Sequence, residues 1–149
     1  MQNSKCKIKN WSLLFFIFNF SFFIASCSLP NLESPDCTQA RDLVKKFYSF
    51  HFGNEMRLSP ESLKAREKFL TPELYRSLSS LPESNTDYFT ASDELPKTFK
   101  IGKCESSQPD KAELQVQIYW RDDKKTVQKE VHVDTVKTGD AWLINKVSN

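Results

Sequence analysis

Glu113-Leu114-Gln115-Val116-Gln117-Ile118-Tyr119-Trp120 alternates polar and apolar positions without a break over eight residues. Successive side chains of a β-strand point to opposite faces, so Leu114, Val116, Ile118 and Trp120 share one face while Glu113, Gln115, Gln117 and Tyr119 share the other. Such strict period two predicts a half-buried strand. Working outward, Thr98 to Cys104 puts Phe99 and Ile101 together. Downstream, a charged tip at Arg121-Asp122-Asp123-Lys124-Lys125 leads into Thr126 to Val136, where Val131, Val133 and Thr135 oppose His132, Asp134 and Val136. Lys137-Thr138-Gly139-Asp140 then turns the chain into Ala141 to Val147, with Trp142 and Ile144 on one side. Four strands joined by short turns pair as an antiparallel meander.

Upstream the period changes. Ser34-Pro35-Asp36 is a helix start, with a serine cap followed by proline in the first turn, and Ala40, Leu43, Val44, Phe47 and His51 recur at three- and four-residue spacing until Gly53. Ser59-Pro60-Glu61 opens a short second helix with Leu63, Phe69 and Leu70 on its apolar side. Thr71-Pro72-Glu73 opens a third, with Leu74, Tyr75 and Leu78 facing inward. From Leu81 to Pro96 no period survives around the aromatic pair Tyr88-Phe89. A loop of this length is either a lid or docking segment or a connection whose aromatics plug the core edge.

Helices followed by a four-stranded antiparallel sheet define an α+β domain with helices on one sheet face, here residues 36–149. The order of elements resembles the cystatin-like and nuclear-transport-factor-two-like cone folds. So do Leu43-Val44-Lys45-Lys46-Phe47-Tyr48, Asp87-Tyr88-Phe89 and Gly139-Asp140-Ala141-Trp142-Leu143-Ile144. Within that superfamily the chain is similar to a bacterial family of exported domains of unknown function. The resemblance implies a curved sheet wrapped against the first helix, with Tyr48, His51, Phe99, Ile101, Val116, Ile118, Trp120 and Trp142 as candidate lining of a cone that is either hollow or filled. Enzymes of the superfamily place carboxylates, histidine or tyrosine in the cone. The strand positions expected to face inward here carry no ionisable group. The remaining candidate bases are His51, on the buried helix face, and His132 with Asp134, which share a strand face. No zinc spacing, glycine-rich phosphate loop or nucleophile elbow occurs, and no metal or cofactor is expected.

The first 26 residues form a leader: Lys5, Lys7 and Lys9, then an uncharged run from Trp11 to Ile24, then small residues. The run is shorter than the roughly 20 apolar residues a spanning helix needs. Ile24-Ala25-Ser26-Cys27 resembles the cleavage box of bacterial lipoproteins, which implies lipidation of Cys27 and residues 27–35 as lipidated terminus and tether. Serine rather than aspartate at position 28 is similar to the pattern for onward transport to an outer membrane. Ala25-Ser26-Cys27 also suits ordinary signal-peptide cleavage, which would leave a soluble secreted module. If Cys6 leaves with the leader and Cys27 carries lipid, Cys37 and Cys104 remain as an even pair, either bonded in an oxidising compartment or two buried thiols.

The formal charge of +2 falls close to −1 without the three leader lysines, and the basic residues lie scattered among acids. That argues against nucleic acid as a partner. The sequence therefore leads to a non-catalytic envelope lipoprotein, anchored to a membrane and binding a small apolar ligand or a partner protein. An enzyme of hydrolase or isomerase type using His51, or His132 with Asp134, is the alternative.

Overall fold

The computed structural model describes residues 33–82, 84–121 and 126–149. Among these residues three helices precede four strands: α1 (Pro35–Phe52), α2 (Pro60–Arg66), α3 (Pro72–Ser79), β1 (Thr98–Gln108), β2 (Lys111–Arg121), β3 (Thr126–Thr138) and β4 (Ala141–Ser148). A single 3₁₀ turn, Glu67–Phe69, follows α2. The strands form one antiparallel sheet in the order β1-β2-β3-β4, which is not closed. Among the described residues no helix is long and apolar enough to cross a membrane.

Each helix starts where its cap predicts. The Ser34 hydroxyl accepts from Cys37 N, Thr71 accepts from Leu74 N, and Ser59 and Ser62 form a reciprocal capping box. Proline follows each cap at a position whose N–H would be unpaired in any case. Each such cap contributes about 1 kcal/mol. The α1 stripe Ala40, Val44, Phe47, Tyr48 and His51 is buried, and it packs on Leu114, Val116, Ile118, Val131, Val133 and Ile144 of the sheet. The strict alternation of β2 is thus the half of the sheet that α1 covers.

β1 runs four residues further than its alternation suggests, because Glu105 to Gln108 are all exposed and pair through backbone alone. Register shifts between Ile101 and Cys104 and between Glu105 and Gln108 interrupt this edge, and such irregularities bend a strand. Arg41 of α1 covers the first of them: its Nη1 donates to Gly102 O at 2.9 Å while Nε and Nη2 grip the Glu33 carboxylate. The hydrogen bond from Arg41, opposed by burial, holds the Glu33 carboxyl below the usual carboxylate range. Beside it Cys37 and Cys104 are bonded, with Cα atoms 5.9 Å apart, closing a separation of 67 residues. In the chain-entropy description a loop that long adds about 4 kcal/mol.

β3 and β4 meet at a two-residue turn, with Thr138 opposite Ala141 and Gly139 at φ 61°. Only glycine takes that left-handed geometry cheaply, which explains the sole glycine of this hairpin. The half of β4 next to this turn is tied to the helices. Thr71 N donates to Ile144 O, and Trp142 Nε1 donates to Gln39 Oε1 at 3.1 Å.

Candidate functional site

Three segments that are far apart in sequence meet at His51. α1 delivers the imidazole from its last turn, α2 delivers Arg66 from its last residue, and the loop after α3 delivers Asp87. Arg66 Nε donates to His51 Nδ1 at 2.9 Å, and His51 Nε2 lies 2.9 Å from Asp87 Oδ2. A guanidinium has no lone pair to offer, so Nδ1 is the acceptor and the ring proton sits on Nε2, donated to the carboxylate. Geometry therefore fixes the tautomer.

The chain is buried throughout, with His51 at 0%, Arg66 at 1% and Asp87 at 4% exposure. A buried charge costs several kcal/mol unless paired and fully hydrogen-bonded. Both ends meet that condition. Arg66 donates further to Ser62 O at 2.6 Å and Glu55 O at 2.5 Å, and Asp87 accepts from Thr90 Oγ1 at 2.6 Å and Phe89 N at 3.2 Å. Burial pulls the guanidinium of Arg66 below its ordinary range, and the charges of Asp87 and Glu55 push it back. Among the described residues no buried side-chain nitrogen or oxygen is left without a partner.

The Asp87 loop docks as a plug. Phe89 is fully buried, 4.7 Å from the Phe47 ring and 5.2 Å from His51, and its carbonyl accepts the Tyr48 hydroxyl at 2.8 Å. Burial, with the nearby charges of Asp87 and Tyr88, raises the Tyr48 phenol well above its ordinary range, so it stays protonated as the donor. Tyr88 OH accepts Val147 N at 3.1 Å, which clips the loop to β4. Ala91 closes this loop at φ 51°, a left-handed conformation that costs a residue with a side chain about 1–2 kcal/mol.

Of the candidate cone lining, Tyr48, His51, Val116 and Ile118 have no exposure at all. A space able to admit water would leave its lining atoms accessible, so the interior is packed at these four positions. Phe99, Ile101 and Trp120 are half-buried at the margin, and Trp120 Nε1 donates to Glu94 O at 3.1 Å. Trp142, at 6%, borders a surface hollow with Gln39, Leu43 and Asp140. A second hollow, about 180 Å³, lies between α2 and α3 and is lined by Leu63, Tyr75, Leu78 and Leu81.

His132 and Asp134 share the opposite, half-exposed sheet face, but His132 pairs with another residue: its Nδ1 donates to Glu113 Oε1 at 2.6 Å, with Glu130 3.7 Å from Nε2. Partial burial and the facing Glu113 raise the Asp134 carboxyl, which Lys146 partly offsets. Glu33, Cys37 and Cys104 bring three potential ligand atoms together, but both sulfurs are consumed by the disulfide. Cys27, with the leader and the rest of the tether up to residue 32, lies outside the described residues. So does the hairpin tip at residues 122–125.

No protein-family model matches the chain, and no curated protein matches it. Among solved structures it is similar to a protein of unknown function from Bacteroides thetaiotaomicron, with a TM-score of 0.52 and 13% identity over 92% of this chain and 99% of the other. At that identity the likeness speaks for the fold alone.

Proposed function

We propose that the chain is an envelope lipoprotein anchored through Cys27. Its α+β domain, of the cystatin-like and nuclear-transport-factor-two-like kind, works without catalysis and through its surface, holding a partner close to the membrane. The observation that carries this reading is the full occupation of His51. A general base needs a lone pair directed at substrate, and the only lone pair of this ring is taken by Arg66 while its proton is held by Asp87. The core favours a protein partner over a small apolar ligand for a second reason. Ligand sites usually enclose about 300–1,000 Å³, whereas the hollow between α2 and α3 holds about 180 Å³, the cone positions are packed, and the larger hollow beside α1, about 780 Å³, is an open surface groove rather than an enclosure.

Two measurements test the parts separately. The intact mass of the exported product should show a fatty adduct on residue 27; a free thiol or a cleaved residue there removes the anchor. Xenon titration followed by methyl NMR should leave Val116 and Ile118 unshifted. Saturable shifts at those methyls would return the apolar-ligand reading.

A further inference from the structure

The face of α1 opposite its buried stripe is charged and largely exposed. Asp42, Lys45, Lys46, Ser49 and Phe50 recur at the spacing of one helical stripe, and Lys68 and Phe69 of the 3₁₀ turn complete an open hollow beside them. Lys45, Lys46 and Lys68 are exposed, and among the described residues none of them forms an ion pair. The Lys68 ammonium stands 5.0 Å from the centroids of both Phe50 and Phe69, whose rings are half-buried. Asp42 is the only acid among the lining residues. Three cations without an ion pair thus gather around two aromatic rings on a domain, residues 36–149, whose formal charges balance to zero in total.

We infer that this stripe of α1, with Lys68 and Phe69, lies against the anionic phospholipid surface to which the chain is tethered. The inference rests on the membrane-anchored reading above. Charge complementarity supports it, because ammonium groups pair with headgroup phosphates while an apolar phenylalanine surface beside them buries at the boundary of headgroups and acyl chains. The geometry of the tether supports it independently. Seven residues separate Cys27 from the first residue of α1, and a chain of that length reaches at most roughly 25 Å. At 1.5 Å per residue, Lys45 to Phe50 lie about 15–22 Å along the helix from that point. An anchor at the helix start and a basic stripe along its flank are compatible with α1 lying along the bilayer, with the sheet turned outward.

The test uses the exported chain purified from membranes and reconstituted into vesicles of phosphatidylcholine, alone or with phosphatidylglycerol added. Lysine acetylation is then followed by mass spectrometry. Lys45, Lys46 and Lys68 should react about fivefold more slowly on the anionic vesicles, the factor expected for a lysine at such a surface. Lys103 and Lys111, exposed on the sheet, should keep one rate on both. Molar salt, which shortens screening to about 3 Å, should erase the difference. Lys45→Glu with Lys46→Glu, both at exposed positions, should restore the rate at Lys68. Equal rates on the two vesicle types overturn the inference, and so does protection already present in detergent micelles, which would mean that a protein covers the stripe. The intact mass of the same sample separates the two readings. With the adduct on Cys27 and no protection, the stripe falls and the anchor stands. Without the adduct the anchor falls, and the same acetylation rates, measured with vesicles added to the soluble chain, decide the stripe.

Discussion

His51 and His132 each lie within hydrogen-bond reach of a carboxylate, yet the two sites work by opposite rules. His51 is fully buried between Arg66 and Asp87, and the three side chains tie α1, α2 and the Asp87 loop into one unit. His132 is half-exposed on the outer sheet face, paired with Glu113 across strands that the backbone ladder already fixes. A polar chain in the interior is costly to interrupt because every partner left behind stays dry. A pair at the surface is cheap to lose because water replaces it. The residue types alone do not distinguish the two cases, but burial does.

The largest expected effect breaks the buried side. Asp87→Ala strands the His51 proton, the Thr90 hydroxyl and Phe89 N, and leaves the Arg66 charge with only the exposed Glu55 as a nearby counter-charge. It should cost about 3–5 kcal/mol in urea unfolding, whereas Glu113→Ala on the outer face should cost less than about 1 kcal/mol. Comparable losses at the two sites would erase the distinction. A double-mutant cycle sharpens it. Arg66 and Asp87 touch only through the imidazole, yet Arg66→Met and Asp87→Asn should show a coupling of about 1–3 kcal/mol. Glu113→Gln with His132→Gln should couple by less than about 0.5 kcal/mol.

A smaller effect of opposite sign lies in the loop that carries Asp87. Ala91 holds φ at 51° with its carbonyl accepting from Lys129. Ala91→Gly removes the clash of the left-handed conformation, worth about 1–2 kcal/mol, and gives back part of it as unfolded-chain entropy. The net expectation is a gain of about 0.5–1 kcal/mol in the unfolding free energy from urea titration. A loss instead would mean that the loop is not strained and that the polar chain needs no such clamp to hold it.

The same contrast explains what could be read from the amino acids. Caps at Ser34, Ser59 and Thr71, the two faces of β2 and the burial of His51 are local or periodic signals, and each reappears in the fold. The cysteine pair was legible by counting, though not its geometry. Asp87 was not legible, because it reaches His51 across 36 residues from an aperiodic loop. Arg66 did leave a trace. It stands three residues after the buried Leu63 on α2, so a cation on that stripe had to find buried acceptors. The end of β1 escaped for a different reason: Glu105 to Gln108 bury no side chain, and hydrophobic alternation cannot report a ladder held by backbone alone.

The smallest expected effect lies on the outer face, at Asp134, and its sign is the reverse of the usual carboxylate. Partial burial, with Glu113 directly opposite in the register, raises this carboxyl in the folded state, while Lys146 on β4 opposes the shift. Folding therefore favours the protonated form. The folded state binds more protons than the unfolded one between the ordinary aspartate value of 3.8 and the raised value, so stability falls as pH rises through that window. At neutral pH the carboxylate is a small liability, of the size of other like-charge cross-strand pairs. Asp134→Asn removes the charge and keeps the shape, so it should stabilise by about 0.3 kcal/mol at pH 7, roughly 1–2 °C in Tm. The gain should fade as pH drops below 3.8, where the native aspartic acid is itself neutral in both states. A gain that persisted there would have to come from packing rather than charge. A loss at pH 7 would show that pairing with Lys146 outweighs repulsion from Glu113, making the outer face a second polar network instead of a solvated contrast to the first.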